Sequence, residues 1–124
     1  MGNRVLVIED NEQNMYLIHF LLEANGHTVI EAMNGPDGIE RAQDANPDII
    51  LLDIQLPGMD GYEIARIIRK TPGLEQIPII AVTSYAMAGD REKILAAGAT
   101  DYIEKPINPA TFVKQISAHF PAET

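Results

Sequence analysis

Five polar residues follow or end short apolar runs, where side chains from different strands can meet. They are Glu9, Asp10, Asp53, Thr83 and Lys105. Carboxylates that converge raise one another's pKa unless a cation compensates their charge. Oxygen ligands suit Mg²⁺, which takes one or two carboxylates, several waters and a phosphate. With a lysine for fixed positive charge and a threonine for a hydroxyl donor, these residue types indicate a site for an anion bonded to, or transferred onto, a carboxylate.

Composition and charge exclude several functional classes. The chain has 124 residues, of which 46% are hydrophobic and 22% are charged, as in ordinary globular domains. Its formal net charge of −9 argues against nucleic acid or an anionic membrane as the main partner. The absence of cysteine excludes disulfides, thiolate nucleophiles and Cys-ligated zinc.

Length and apolar patterning predict one domain over residues 1–124, with no output domain. The longest apolar runs are too short for a signal sequence or a membrane span. Gly2 does not stand in a myristoylation motif, because Leu6 occupies the position that requires Ser or Thr. We therefore expect a soluble, unanchored, cytoplasmic protein.

Short apolar runs alternate five times with amphipathic stretches. The predicted strands are 5–8, 28–31, 49–52, 77–83 and 101–104. The predicted helices are 12–25, 34–46, 62–70, 88–97 and a last one that is capped by Asn108 and ends at Pro121. This alternation predicts an α/β domain with a mainly parallel sheet, helices on both faces and right-handed crossovers. Sites in such sheets form beyond the carboxyl ends of the strands, where the five polar residues lie.

The order and spacing of these anchors resemble the receiver domain of two-component response regulators: Glu9-Asp10, Asp53 followed by Pro57 and Gly61, Thr83, and Lys105-Pro106. The resemblance covers essentially the whole chain. It implies a flavodoxin-like, doubly wound (βα)5 fold with a five-stranded parallel sheet of order 2-1-3-4-5. Segments 10–14 and 53–61 are most similar to single-domain regulators of the cell-division type and to receivers of hybrid histidine kinases.

The resemblance implies a metal-assisted phosphoacceptor. Asp53 is expected to accept the phosphoryl group. Glu9 and Asp10 are expected to hold Mg²⁺ together with Asp53 and the backbone carbonyl of Gln55.

The same resemblance assigns the switch. Thr83 is expected to be the hydroxyl that moves toward the phosphoryl group, and Lys105 is expected to pair with that group. Tyr102 matches the aromatic switch position on the fifth strand. The Lys105–Pro106 peptide bond is expected to be cis. Ser84 departs from the family pattern, which more often has Ala, but it is small enough to keep the phosphoryl group accessible.

The implied function is that of a single-domain response regulator. It would accept a phosphoryl group from the phosphohistidine of a histidine kinase or a histidine phosphotransfer protein. It would then change its affinity for a downstream protein effector or relay the phosphoryl group onward. Such a protein is not an enzyme in the ordinary sense, because it catalyses only its own phosphorylation and dephosphorylation. A monomer or a weak, phosphorylation-dependent dimer is expected.

Other interpretations remain open at this point. Tyr102 has its own alternative, as a packing residue on a short edge strand. Taken singly, Glu9 and Asp10 could cap a helix and Asp53 could be a solvated strand end. Thr83 could likewise be an ordinary strand residue and Lys105 a surface lysine. Taken together, these interpretations require independent coincidences at one edge of the sheet. The functional alternatives are a receiver excised from a hybrid histidine kinase, a pseudo-receiver that binds partners without phosphorylation, and a flavodoxin-like electron carrier. The carrier would need a phosphate-cradling loop where this chain has Glu9-Asp10-Asn11.

Overall fold

The computed structural model describes residues 2–84 and 88–120. In that part of the chain, strands and helices alternate as predicted. The strands are β1 (Arg4–Ile8), β2 (Thr28–Ala32), β3 (Ile49–Asp53), β4 (Ile79–Thr83) and β5 (Asp101–Glu104). The helices are α1 (Glu12–Ala24), α2 (Gly35–Ala45), α3 (Gly61–Lys70), α4 (Ala88–Ala96) and α5 (Phe112–Ser117).

The strands form one parallel sheet in the order β2-β1-β3-β4-β5. This confirms the doubly wound fold expected from the family resemblance. The strand order reverses between β1 and β3, where Ile8 pairs with Leu52. Ligands of such sheets bind at this reversal, beyond the carboxyl ends of the strands. Asp53, the last residue of β3, therefore lies at the preferred position for a site.

A hydrophobic core covers each face of the sheet. Helices α2, α3 and α4 pack on one face through buried residues such as Ala42, Ile68 and Ile94. Helices α1 and α5 cover the other face through residues such as Ile18 and Phe112. Every residue of β3 and β4 is buried, as expected of central strands in a parallel sheet. Site residues at the ends of these strands are therefore held by a close-packed frame.

Two predicted boundaries were wrong. Strand β4 begins at Ile79 and not at position 77, because Pro78 has no N–H to donate and contributes only its carbonyl to the N–H of Ile50 at 2.9 Å. Asn108 does not cap α5; its side chain accepts from the N–H of Ala110 at 3.0 Å within a preceding turn, and α5 starts at Phe112. The expected end at Pro121 lies outside the described residues.

Within the described ranges, no helix is both long enough and apolar enough to cross a membrane.

Candidate functional site

The carboxyl ends of the strands surround an open cleft of about 620 Å³. Strand β1 leads into its acidic pair, β3 ends within it, and the segment after β5 contributes its lysine. The lining residues are Glu9, Asp10, Asn11, Glu12, Gln13, Asn14, Asp53, Gln55 and Lys105. The structure thus brings together the predicted carboxylates and the predicted lysine.

Asp53 lies at the floor of the cleft and is only 2% exposed. Its Oδ1 accepts a hydrogen bond from the backbone N–H of Gln55 at 2.9 Å. The Nζ of Lys105 lies 3.2 Å from the same oxygen and 3.3 Å from Oε1 of Glu9. One ammonium group therefore faces two buried carboxylates and compensates part of their charge.

Glu9 is a buried carboxylate with an incomplete set of partners. Its Oε2 accepts from the backbone N–H of Asn11 at 3.1 Å. Its Oε1 lies within ion-pair distance of Lys105, but accepts no hydrogen bond from the residues that the structure describes. Burial raises the pKa of Glu9 from 4.5 to about 7, and the adjacent Asp53 carboxyl adds to the rise; the Asn11 N–H and the Lys105 ammonium lower the pKa. The site is thus short of positive charge at its acidic side.

Asp10 is exposed, and the cap of helix α1 is its neighbour Asn11. The Oδ1 of Asn11 accepts from the N–H of Asn14 at 2.9 Å. The capping interpretation of Glu9 and Asp10 is therefore wrong.

Gly61, the first residue of α3, lies close to the end of β3. A Cβ at this position would lie 2.5 Å from the Cα of Ile54 and 2.9 Å from the carbonyl oxygen of Asp53. Glycine lets α3 begin directly against the end of β3.

The acidic cluster fits a divalent cation. Glu9, Asp10 and Asp53 each offer a carboxylate oxygen, and these oxygens lie within 4.8 Å of one another. The donors are all hard oxygen ligands, which suit Mg²⁺ better than a softer metal. The unbonded, buried Oε1 of Glu9 is a further sign that a cation belongs here.

Thr83 ends β4 and is fully buried. Its Oγ1 accepts a hydrogen bond from Nε2 of Gln55 at 2.8 Å. The Oε1 of Gln55 accepts in turn from the backbone N–H of Ser84 at 3.1 Å. The family resemblance implied a role only for the backbone carbonyl of Gln55. Its side-chain contacts could not be predicted, because a single amide two residues after an aspartate forms no recognisable pattern.

The remaining predicted residues lie beside this cleft. The Lys105–Pro106 peptide bond is cis, as expected, and the N–H of Lys105 donates to the carbonyl of Thr83 at 2.7 Å. Tyr102 is half-buried on β5, and the guanidinium carbon of Arg91 lies 5.2 Å from its ring centroid. This cation–π contact between α4 and β5 was not foreseen.

The parallel sheet, its strand order and the acidic cleft are features of the receiver class, and comparison with known proteins agrees. Residues 5–117 match the family model described as the response regulator receiver domain. The chain therefore belongs to the response regulator receiver domain family. Membership implies histidine kinases and protein effectors as the general kinds of partner.

Individual proteins of this family are similar to the chain in sequence and in structure. It is 41% identical to the polar-differentiation response regulator DivK of Brucella anthropi, over 96% of this chain and 97% of that protein. Among solved structures, chemotaxis protein CheY4 of Vibrio cholerae superposes with a TM-score of 0.92 at 27% identity, covering 97% of this chain and 100% of that chain.

A third similar protein was solved with a metal. The receiver domain of sensor histidine kinase PA1611 from Pseudomonas aeruginosa is 35% identical with a TM-score of 0.87, covering 96% of this chain and 98% of that chain. That structure has a magnesium ion coordinated in its active site cleft. The comparisons do not favour the electron-carrier alternative.

Proposed function

We propose that this protein is a response regulator that accepts a phosphoryl group on Asp53. The observation that carries the proposal is the position of the Lys105 ammonium, 3.2 Å from Oδ1 of Asp53 and 3.3 Å from Oε1 of Glu9. A lysine placed this way neutralises an acceptor carboxylate and can hold a phosphoryl oxygen.

The donor is a phosphohistidine of a histidine kinase or a histidine phosphotransfer protein. A carboxylate oxygen of Asp53 attacks phosphorus, so that an O–P bond forms while the N–P bond of the donor breaks. The departing imidazole nitrogen keeps the electron pair and takes a proton from solvent. The product is an acyl phosphate, one of the established covalent intermediates of carboxylate nucleophiles.

Charge neutralisation is the main task of the site. Glu9, Asp10, Asp53 and the backbone carbonyl of Gln55 are the residues that would hold Mg²⁺, which when bound neutralises charge on the phosphoryl group. Lys105 supplies the fixed positive charge at the other side of the acceptor. Catalysis by this chain is limited to its own phosphorylation and dephosphorylation.

Thr83 and Tyr102 are proposed to carry the response outward. The Thr83 hydroxyl turns toward the phosphoryl group, and the ring of Tyr102 moves with it. The phosphoryl group shifts this equilibrium only as far as it binds the two arrangements differently. The output is a changed affinity for an effector protein, or onward phosphotransfer, by a monomer or a weak phosphorylation-dependent dimer. The cytoplasmic location and the single receiver domain over residues 1–124 also stay predictions.

The proposal is tested with acetyl phosphate and Mg²⁺ followed by intact-mass measurement. We expect an adduct of one phosphoryl group that is absent in Asp53→Asn and is blocked by a chelator. Asp44→Asn, which removes an exposed carboxylate of α2, is the matched control and keeps the adduct. An adduct that persists in Asp53→Asn would place the acceptor elsewhere.

A further inference from the structure

The side chain of Gln55 joins the loop after β3 to the end of β4. Its Nε2 donates to Oγ1 of Thr83 at 2.8 Å, and its Oε1 accepts from the N–H of Ser84 at 3.1 Å. The backbone N–H of the same residue donates to Oδ1 of Asp53 at 2.9 Å. Gln55 thus contacts the acceptor carboxylate, the Thr83 hydroxyl at the end of β4 and the backbone N–H of Ser84, the next residue.

The Gln55 side chain forms hydrogen bonds with the Thr83 hydroxyl and the Ser84 N–H, two groups that a phosphoryl group on Asp53 would also attract. Strand β4 lies next to β3, and Val82 pairs with Asp53, so Thr83 ends β4 and Ser84 leaves the strand beside the acceptor. A hydroxyl and a backbone N–H are donors, and an acyl phosphate on Asp53 presents anionic oxygens as acceptors. The Ser84 N–H donates to Oε1 of Gln55 in the present arrangement, so it must leave the amide before it can turn to a phosphoryl oxygen.

The Thr83 hydroxyl is restrained in the same way. Its oxygen accepts from Gln55, and the residue is fully buried at a fixed strand end. We expect a displacement of Thr83 toward a phosphoryl group on Asp53 to stretch this hydrogen bond. Because the amide is only half-buried, it can turn to water once the bond is broken. The hydrogen bond between Gln55 and Thr83 can therefore break and form again.

We propose that the Gln55 side chain is a latch that holds the end of β4 in its unphosphorylated arrangement and so sets how readily the switch responds. The inference rests on the proposed function, since it assumes that Asp53 carries the phosphoryl group. Gln55 acts here as a positioning residue. A phosphoryl analogue binds a protein with an apparent affinity reduced by the fraction of molecules in the competent arrangement, and loss of the latch raises that fraction.

The test compares Gln55→Met with wild type for binding of trifluoroberyllate, an acyl-phosphate analogue, in the presence of Mg²⁺. Methionine keeps the length of the side chain and removes both of its hydrogen bonds, while the backbone carbonyl of residue 55 is retained. We expect binding about three- to tenfold tighter, the factor for the loss of roughly one net neutral hydrogen bond. Gln76→Met, at an exposed position before β4, is the matched control and should bind as wild type does.

A gain in affinity separates a latch from a structural role, because damage to the site weakens binding. Equal or weaker binding by a folded Gln55→Met variant overturns the latch. If wild type itself binds no trifluoroberyllate and forms no acetyl phosphate adduct, the proposed function fails and the latch falls with it.

A second measurement needs no variant. In wild type, the side-chain NH₂ resonances of Gln55 should exchange slowly with solvent before trifluoroberyllate is added. Exchange should become as fast as for Gln76 when the analogue saturates the site, and amide exchange at Ser84 should change with it. Resonances of Gln55 that stay protected in the saturated protein overturn the proposal.

Discussion

The ammonium nitrogen of Lys105 lies 3.2 Å from Oδ1 of Asp53, although β4 separates the strands that lead to the two residues. The contact depends on the parallel sheet, which places the carboxyl ends of β3 and β5 at one edge. It also depends on the N–H of Lys105, which donates to the carbonyl of Thr83 at 2.7 Å and fixes the backbone of the lysine. The compensation of the Asp53 charge by Lys105 therefore depends on the order of the strands.

Replacement of Lys105 by methionine should weaken both the fold and the phosphorylation reaction. The change leaves Asp53 and Glu9 buried without their cation, and a buried polar group without a partner costs about 1–3 kcal/mol. We expect the free energy of unfolding in urea without Mg²⁺ to fall by about that amount. Phosphorylation by acetyl phosphate should also slow markedly. Lys93→Met, at an exposed position of α4, is the control and should change neither quantity; unchanged stability of Lys105→Met would contradict the proposed charge balance.

Magnesium should stabilise the wild-type protein through its acidic cluster. Glu9, Asp10 and Asp53 place their oxygens within 4.8 Å of one another, so a cation that binds only the folded chain raises its stability. At ten times the Kd, the expected gain in unfolding free energy is about 1.4 kcal/mol, measured by thermal unfolding with and without chelator.

Asp10→Asn tests whether the cluster is the origin of that gain. Removal of one charge should reduce the stabilisation by Mg²⁺ and, because like charges repel, should raise stability when Mg²⁺ is absent. Asp44→Asn on α2 should respond to Mg²⁺ as wild type does. A full magnesium effect in Asp10→Asn would show that the cation binds elsewhere.

General rules for parallel sheets predicted where the acidic residues lie. The same rules did not predict which side chains contact one another around the cleft. Apolar runs and turn residues predicted the elements, and the parallel-sheet rule placed Asp53 and Thr83 at one edge. The strand order came from the family resemblance, since alternation alone fits several orders. The side-chain contacts of Gln55 and the cation–π contact of Arg91 depend on how neighbouring elements are oriented, which no local pattern records.

The N-cap of α1 is Asn11, one residue after Asp10. Asp10 and Asn11 are both favourable N-cap residues, but the capping interpretation drawn from the sequence named only Glu9 and Asp10. The structure assigns the cap to Asn11 and leaves the Asp10 carboxylate for the cleft.

The histidines of α1 and of the segment before β2 should titrate in opposite directions. His19 places Nδ1 2.6 Å from Glu31 and Nε2 3.0 Å from Glu23. The hydrogen bond to Glu31 is the largest cause that raises the pKa of His19 above 6.5, while burial lowers the pKa of His27 below 6.5. An NMR titration of the imidazole resonances should show this order, and the reverse order would contradict the geometry.

The sign of the effect on stability follows from the raised pKa of His19. The folded state holds this proton more tightly than the unfolded state does. The stabilising contribution is therefore complete below pH 6.5 and is lost as the pH rises through the folded-state pKa of His19. Glu31→Gln should move the pKa of His19 back toward 6.5. Glu40→Gln, an exposed change on α2, should leave the pKa of His19 unaltered.

Gly61 should tolerate no larger residue, whereas Gly89 should. A Cβ at position 61 meets the Cα of Ile54 at 2.5 Å and the carbonyl oxygen of Asp53 at 2.9 Å, and neither backbone atom can yield without moving the acceptor. Gly61→Ala should cost about 1–3 kcal/mol of unfolding free energy, as overpacking commonly does, and should slow phosphorylation by acetyl phosphate. Gly89 in α4 is the control, because a Cβ there meets no atom of the described residues within 4 Å. Gly89→Ala should therefore raise the free energy of unfolding by about 0.5–1 kcal/mol, because alanine loses less backbone entropy in a helix. Equal effects of the two substitutions in urea unfolding would show that the start of α3 does not constrain the acceptor.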